Sequence, residues 1–218
     1  MEIRSLIPHA DSSYFPAGSS KEDIYKQVVE QTKGLIEGQR HWVRILKILL
    51  SSLTDKLIEP EFLTTLTDKF SNTANVASLL WHAYASLPAP SSSVNWAGFY
   101  IREDKFPSSV PESSRSKTKL LLGPFQGKPA CQWINFGKGV CGTAAEKKET
   151  VIVPDVLNWE GHIACDADSR SEIVVPILVN GETVAIIDID CAEPSGFDEV
   201  DKKGLEELAA VLMESCDW

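Results

Sequence analysis

Three cysteines in the second half of the chain, Cys131, Cys141 and Cys165, have sequence surroundings in which thiols can do chemistry. Cys141 follows the turn Gly137-Lys138-Gly139 and precedes small residues. This pattern predicts a position near a helix N-terminus, where the helix dipole and unpaired N–H groups favour a thiolate. Cys165 lies in the polar segment Gly161–Asp166, where a cysteine has little core to fill. Each could be a reactive thiol or a small buried residue, and Cys131, which opens a predicted strand, is more typical of a core residue.

Acidic and aromatic residues form a second set of candidates. Asp188 and Asp190 are two apart on a predicted strand, so both side chains point to the same face, and Glu172 begins the strand before it. Acids at the end of apolar strands are costly unless they are solvated or paired. They either run into solvent or form a carboxylate pocket for a cation such as the ammonium of an amino acid. Trp96 and Tyr100 are four apart on an earlier strand and also share a face, as core residues or as the wall of a pocket for a methyl-thioether-sized ligand.

The composition excludes several classes of partner. The net charge of −10 and the pI of about 4.9 predict repulsion from nucleic acids and from anionic membranes. The N-terminus has no apolar core of signal-peptide length, and no apolar stretch is long enough to span a bilayer. We therefore predict a cytoplasmic location, and a nuclear one is also compatible. Five cysteines without an export signal argue against a structural disulfide framework.

The elements that would position these residues change type along the chain. Apolar residues at helical spacing predict three helices in the first half, at about 19–38, 41–58 and 75–87, with Pro60 ending the second. Strand-like runs begin at Val94 and include a hairpin around the turn Asn180-Gly181. A last amphipathic helix is predicted from about Asp198 to Glu214.

This order predicts an α+β fold, with an antiparallel sheet flanked by helices and an N-terminal helical extension. We expect residues 1–93 to form a helical region that packs on a core of residues 94–218. The two parts would make one structural unit.

The candidate residues fall in motifs that together resemble those of the free methionine-(R)-sulfoxide reductases, which are built on a GAF domain. Generic GAF domains lack the three cysteines combined with these acids. The matching stretches run in family order and are Asn95-Trp96-Ala97-Gly98-Phe99-Tyr100, Ala130-Cys131, Gly137–Ala144, Asp155-Val156, Gly161–Asp166, Ser171–Val174 and Asp188-Ile189-Asp190.

The resemblance implies a reaction and its partners. A thiolate attacks the sulfur of free methionine sulfoxide while an acid protonates the departing oxygen, which leaves methionine and a cysteine sulfenic acid. A second cysteine condenses with the sulfenic acid, and a thioredoxin-type reductant reopens the disulfide. The resemblance also implies a homodimer, and we expect neither a cofactor nor a metal.

Roles follow residue by residue from the same resemblance. Cys165 is the expected nucleophile, with Cys131 or Cys141 resolving, and the reverse assignment, in which Cys141 attacks, stays open. Glu172, together with Asp188 and Asp190, would bind and protonate the substrate. Trp96 and Tyr100 would shape the pocket. Cys191 and Cys216 match no family position and are expected to pack.

Two other functions are compatible with some of these residues, a ligand-sensing domain and a structural zinc site. A GAF domain that senses a small ligand without chemistry would not need the three cysteines. A structural zinc site could use Cys131, Cys141, His162 and Cys165, although no Cys-x-x-Cys knuckle is present.

Overall fold

The computed structural model describes residues 14–51, 60–106, 112–161, 166–216 and 218, and only the backbone of helical residues 37–51 and 60–71. His162 and Cys165, which the sequence marks as candidates, lie outside the described residues. None of the helices within the described ranges is long and apolar enough to cross a membrane.

Two long helices precede the sheet. α1 spans Lys21–Ser51 and α2 spans Pro60–Ala85. The sequence predicted two helices within this range, divided near Gly38, whereas α1 is continuous. Glycine lowers the helix propensity but does not by itself end a helix. The sequence also predicted that Pro60 ends a helix; residues 52–59 lie outside the described residues, and the structure shows that α2 begins at Pro60, earlier than the predicted start near residue 75. Proline is favoured at the first helical position because the N–H group that it lacks would be unpaired there in any case.

The second half forms one six-stranded sheet with the order β3-β2-β1-β6-β5-β4, in which every pairing is antiparallel. Two helices accompany it, α3 at Gly139–Lys147 and α4 at Glu199–Ser215. The predicted α+β class is confirmed. The strands are β1 Val94–Arg102, β2 Lys119–Gly127, β3 Trp133–Asn135, β4 Val151–Val153, β5 Ser171–Val179 and β6 Glu182–Cys191.

The predicted hairpin is the pair β5 and β6, joined by Asn180 and Gly181 with φ values of 52° and 75°. These positive values are those of a type I′ turn, whose twist matches that of the strands. Pro176 lies within β5, beyond Val174, where the pairing of β4 with β5 ends. No ladder on that side therefore needs the N–H group that proline lacks.

Side chains alternate along the strands and build two separate apolar clusters, one on each face of the sheet. Phe99 and Ile187 belong to the cluster that includes α1, α2 and α4. Trp96, Tyr100 and Ile186 belong to the cluster that includes α3. The candidate acids lie on the α3 face, because Asp188 and Asp190 are in phase with Ile186 on β6.

A buried polar network joins the N-terminal helices to α4. The carboxylate of Asp201, which is fully buried, accepts hydrogen bonds from the hydroxyls of Tyr25 (3.0 Å) and Tyr84 (3.2 Å). It also forms an ion pair with Lys21, whose Nζ lies 2.5 Å from Oδ2. Asp198 caps α4 by accepting from the backbone N–H groups of its first turn. At Gly204 an added Cβ atom would overlap the ring of Tyr25, so α1 and α4 approach each other only because this residue is glycine.

We propose that the N-terminal helices and the sheet form one cooperative unit, and Gly204→Ala tests this. The change should lower the free energy of unfolding by about 1–3 kcal/mol through overpacking, despite the better helix propensity of alanine. Gly34→Ala is the matched control, since nothing lies within 4 Å of its added Cβ, and it should stabilise by up to about 1 kcal/mol.

Urea unfolding followed by circular dichroism and by tryptophan fluorescence measures both quantities. The two signals should shift together in Gly204→Ala. Separate transitions for helix and sheet would contradict the single unit.

Candidate active site

The strand register brings the three candidate acids together at one end of the sheet. On β6, Asp190 pairs with Trp96 of β1 on one side and with Glu172 of β5 on the other. Asp188 pairs with Gly98 and with Val174. Glu172 and Asp190 are therefore directly opposite each other, and like charges in that arrangement are destabilising unless a proton or a cation separates them.

Helix α3 covers the acids with a cysteine. Gly137 and Gly139 have φ values of 73° and 62°, which only glycine adopts readily, and they turn the chain from β3 into α3. At Gly142 an added Cβ atom would overlap the carbonyl oxygen of Asn135, so glycine also lets the helix lie close to β3. Cys141 is the third residue of α3, close to its N-terminus as predicted, and its Sγ lies 3.5 Å from Oε1 of Glu172.

The environment of Cys141 opposes ionisation of its thiol. Burial, followed by the negative charges of Asp188 and Glu172, raises the pKa of Cys141 well above its ordinary value. The helix N-terminus had suggested the opposite direction. That expectation was wrong because the side chain is only 6% exposed and faces carboxyl groups, whose effect outweighs that of the helix dipole.

The cavity raises the pKa values of the three acids. Burial, together with the charges of Asp188 and Asp190, raises the pKa of Glu172 well above its usual range. Burial raises the pKa of Asp188 to about 7 and that of Asp190 well above its ordinary value. Three carboxyl groups with perturbed pKa values in one cavity are typical of a functional site, since ordinary structural carboxylates ionise well below neutrality.

An aromatic wall closes the other side of this cavity, whose volume is about 160 Å³. The Trp96 ring stacks between Tyr100, with 5.8 Å between centroids, and Phe125, with 5.3 Å. The sequence analysis predicted the shared face of Trp96 and Tyr100 but missed Phe125. The signal for Phe125 is its place opposite Gly98 in the register of β1 with β2, which sequence periodicity does not reveal.

Two polar atoms of residues that line the cavity have no hydrogen-bond partner. Within the described part of the chain, Nε1 of Trp96 and Oδ1 of Asp188 are buried without a hydrogen bond. Both residues line the cavity. Buried polar groups are nearly always paired, so these two atoms mark positions at which a polar ligand can bind.

The cavity brings two of the three candidate cysteines together. Cys131 does not open a strand as predicted. It lies in the loop before β3, partly exposed, and lines the cavity with Cys141. The hydroxyl of Tyr100 donates to the carbonyl oxygen of Cys131 at 3.0 Å. Cys165 is outside the described residues, and Asp166, which follows it, lines the same cavity.

The remaining two cysteines are buried on the opposite face of the sheet, in the cluster that includes α1, α2 and α4. Sγ of Cys191 contacts the carbonyl oxygen of Pro90 at 3.3 Å. Sγ of Cys216 lies 3.6 Å from the side-chain amide of Asn72. Neither lines the cavity.

One group of side chains could hold a metal ion. Sγ of Cys141 and carboxylate oxygens of Glu172 and Asp188 lie within 4.8 Å of one another, a thiolate and carboxylate set of the kind that Zn²⁺ accepts. This set differs from the zinc site considered from the sequence, which used His162 and Cys165. All three groups have raised pKa values, so a metal would have to displace their protons.

The raised pKa of Asp188 predicts how the free energy of unfolding depends on pH. The folded state retains a proton on this carboxyl up to about pH 7, whereas an unfolded aspartate loses it near pH 4. The free energy of unfolding therefore falls as pH rises through this window, and Asp188→Asn should remove the loss. We expect the variant to be more stable than the wild type by up to about 4 kcal/mol at pH 8 and nearly equal to it at pH 4.

Urea denaturation at both pH values measures this difference. Glu207→Gln, an exposed carboxyl on α4, is the control and should change stability by less than about 0.5 kcal/mol at either pH. Equal stability of Asp188→Asn and wild type at pH 8 would contradict the burial of an acid at this position.

Comparisons with known proteins show the family of this chain. The family model of the GAF domain matches residues 79–213. The free methionine-R-sulfoxide reductase of Saccharomyces cerevisiae is 46% identical over 209 residues, which are 95% of this chain and 94% of the yeast protein. The enzyme of the same name from Escherichia coli is 40% identical over 154 residues, 71% and 77% of the two chains.

A solved structure adds a ligand-bound relative. The free methionine-R-sulfoxide reductase of Neisseria meningitidis, in complex with its substrate, is 34% identical and superimposes with a TM-score of 0.67, covering 93% of each chain. The chain therefore belongs to the free methionine-R-sulfoxide reductase family of oxidoreductases, which is built on a GAF domain.

Proposed function

We propose that this protein reduces free L-methionine (R)-S-oxide to L-methionine through a cysteine sulfenic acid and a disulfide. The single observation that carries the proposal is the cavity in which three acids with raised pKa values and the thiol of Cys141 lie beside the rings of Trp96 and Tyr100. The similarity to reductases along nearly the whole chain supports the same reaction.

The acids account for two demands of the substrate. The ammonium group of a free amino acid can pair with the carboxylate of Asp190 and favour its ionised form, and the charge of that carboxylate in turn raises the pKa of Glu172 opposite it. A methionine sulfoxide within a polypeptide has an amide at this position and brings no such cation. The site is therefore suited to the free amino acid.

The same cluster can supply the proton that the reaction consumes. Burial, together with the charges of Asp188 and Asp190, raises the pKa of Glu172 well above its usual range and so favours the protonated carboxyl. A protonated buried acid can donate to the sulfoxide oxygen as the sulfur–oxygen bond breaks. In the first step a cysteine thiol and the sulfoxide become a sulfenic acid and a thioether, so the oxygen moves from the substrate to the enzyme.

The environment of Cys141 favours Cys165 as the nucleophile. Cys141 has a raised pKa and lies against a carboxyl group, which makes it a poor thiolate at neutral pH. It is better suited, like Cys131, to the later condensation with a sulfenic acid. The reverse order, with Cys141 attacking, is the alternative that the experiments below distinguish.

Aromatic side chains suit the apolar end of the substrate. The rings of Trp96 and Tyr100, which line the cavity, offer a polarisable apolar surface to a methyl group bonded to sulfur. Tyr100 holds the backbone of Cys131 from the same wall. Both features support a pocket for the methyl-sulfoxide group beside the cysteines.

The catalytic cycle also requires a reductant that reduces the enzyme's disulfide. We propose a thioredoxin-type dithiol as the reductant, which exchanges with the disulfide and leaves both cysteines as thiols. A homodimer and a cytoplasmic location complete the proposal.

The decisive test is the production of methionine by the reduced protein. Each epimer of free methionine sulfoxide is incubated with dithiothreitol and with wild type or with Ser variants of Cys131, Cys141 and Cys165. We expect methionine from the R epimer only and no methionine from Cys165→Ser. When the pre-reduced enzyme is freed of dithiothreitol, the variant that lacks the resolving cysteine should release one equivalent per enzyme and retain the sulfenic acid. Cys191→Ser, whose thiol is outside the cavity, is the control and should retain turnover.

Loss of the first turnover in Cys141→Ser with its retention in Cys165→Ser would exchange the two roles. No methionine from either epimer would overturn the proposal. Binding of the ligand without turnover would then leave a ligand-sensing GAF domain.

Glu172→Gln tests the proton donor. An amide of the same shape cannot protonate the oxygen, so kcat should fall by about 10²-fold or more. The rate of methionine release in a single turnover measures this effect. Glu182→Gln, an exposed carboxyl at the start of β6, should leave the rate unchanged, and an unchanged rate in Glu172→Gln would assign the proton to another acid of the cluster.

A further inference from the structure

Three side chains of the cavity have donor atoms spaced for a single metal ion. Sγ of Cys141 and carboxylate oxygens of Glu172 and Asp188 lie within 4.8 Å of one another, and all three residues are buried. Sγ of Cys141 and Oε1 of Glu172 are 3.5 Å apart. A tetrahedral Zn²⁺, with Zn–S of about 2.3 Å and Zn–O of about 2.1 Å, holds a sulfur and an oxygen ligand about 3.6 Å apart. The observed spacing therefore fits two neighbouring ligands of one ion.

An oxygen of Asp188 independently indicates that a ligand binds here. The residue is only 5% exposed, and within the described part of the chain its buried Oδ1 has no hydrogen-bond partner. Asp188 lines the cavity, as Cys141 and Glu172 do. A carboxylate oxygen accepts hydrogen bonds and coordinates cations, so a cation in the cavity would satisfy this atom.

The donor set selects among the common divalent ions. Zn²⁺ binds both thiolate and carboxylate ligands, whereas Mg²⁺ and Ca²⁺ take oxygen ligands. The charge of the surroundings also attracts a cation, because four acidic residues line the cavity against two lysines among the described residues. The mixed sulfur and oxygen set therefore fits Zn²⁺ and disfavours the two hard ions.

We propose that this cavity is a Zn²⁺ site in which Cys141, Glu172 and Asp188 are three ligands, and that the bound ion excludes the substrate. Three protein ligands with a fourth position open to solvent are an arrangement that Zn²⁺ adopts in proteins. On binding, the Cys141 thiol and any protonated carboxyl release their protons to solvent. Binding of the ion does not depend on the proposed function, whereas the exclusion of methionine sulfoxide rests on it.

The ion and the substrate need the same acids. In the proposed reaction Asp190 pairs with the ammonium group and Glu172 protonates the sulfoxide oxygen. An ion held by Glu172 removes the proton of that carboxyl and places a second cation beside the one that the substrate brings. Zn²⁺ should therefore act as a reversible inhibitor that competes with methionine sulfoxide.

Binding is tested on the fully reduced protein freed of dithiothreitol, since dithiothreitol itself binds Zn²⁺. Co²⁺ is the spectroscopic probe, because a thiolate ligand gives Co²⁺ an intense charge-transfer band in the near ultraviolet and carboxylates do not. We expect this band to saturate at one Co²⁺ per chain and to disappear as Zn²⁺ displaces the probe. Titration calorimetry gives the Kd of Zn²⁺, and Mg²⁺ at the same concentration should not displace Co²⁺.

Variants identify the ligands. Cys141→Ser should abolish the charge-transfer band. Asp188→Asn should raise the Kd of Zn²⁺ at least about 100-fold, because loss of an outer partner of a metal ligand already costs about 10–100-fold. Asp188→Asn is expected to be at least as stable as the wild type, so weaker binding in it does not reflect unfolding. Cys191→Ser, buried on the opposite face of the sheet, and the exposed Glu182→Gln are matched controls and should bind Zn²⁺ like the wild type.

Competition is tested in a single turnover of the same reduced protein with the R epimer of free methionine sulfoxide. At a Zn²⁺ concentration about ten times its Kd, the substrate concentration for half-maximal rate should rise about tenfold, by mass action. The rate at saturating substrate should not change, and a chelator should restore the original dependence on substrate.

Two results would overturn the Zn²⁺ site: a wild type that binds neither Co²⁺ nor Zn²⁺, and a charge-transfer band that persists in Cys141→Ser. Methionine formation that is insensitive to bound Zn²⁺ would overturn the exclusion of the substrate. Binding of Zn²⁺ with these ligands, but no methionine from the metal-free wild type, is a different result. It would overturn the proposed function and support the metal site.

Discussion

Buried carboxyl groups of like charge cannot all be ionised side by side, and the rest of this structure follows from that constraint. Glu172 and Asp190 are directly opposite on neighbouring strands, with Asp188 two residues from Asp190 on the same face. The unfavourable energy appears in raised pKa values, because burial raises the pKa of all three carboxyl groups and neighbouring negative charges raise those of Glu172 and Asp190 further. Only a proton or a cation relieves it, so the cluster is built to exchange one for the other.

The surrounding elements keep this cluster away from water. Helix α3 covers it with Cys141, and Trp96, supported from behind by its stacking on Phe125, forms a wall of the cavity with Tyr100. Glycines make both covers possible, since Gly142 lets α3 approach β3 and Gly98 leaves room for Trp96, whose ring atom Cη2 would lie 2.8 Å from an added Cβ. Exclusion of water strengthens every charge interaction inside, which benefits a reaction that moves a proton onto an oxygen.

Sequence patterns revealed what depends on local chemistry. Alternation placed Asp188 and Asp190 on one face, and the turn Asn180-Gly181 identified the β5–β6 hairpin. Effects that depend on neighbours distant in sequence were out of reach. The direction of the pKa shift of Cys141 depends on strands that lie more than thirty residues away, and the place of Phe125 depends on the register of β1 with β2.

The two faces of the sheet have different roles, since one packs against helices and the other carries the cavity. Odd-numbered residues of β6 such as Ile187 and Ile189 belong to the apolar cluster with α1, α2 and α4, while even-numbered residues carry the acids. Neighbouring positions on a single strand are thus subject to different selective pressures, one for packing and one for chemistry. A GAF sheet of this kind can acquire a new ligand on one face by substitutions at every second residue, while the scaffold on the other face is inherited unchanged.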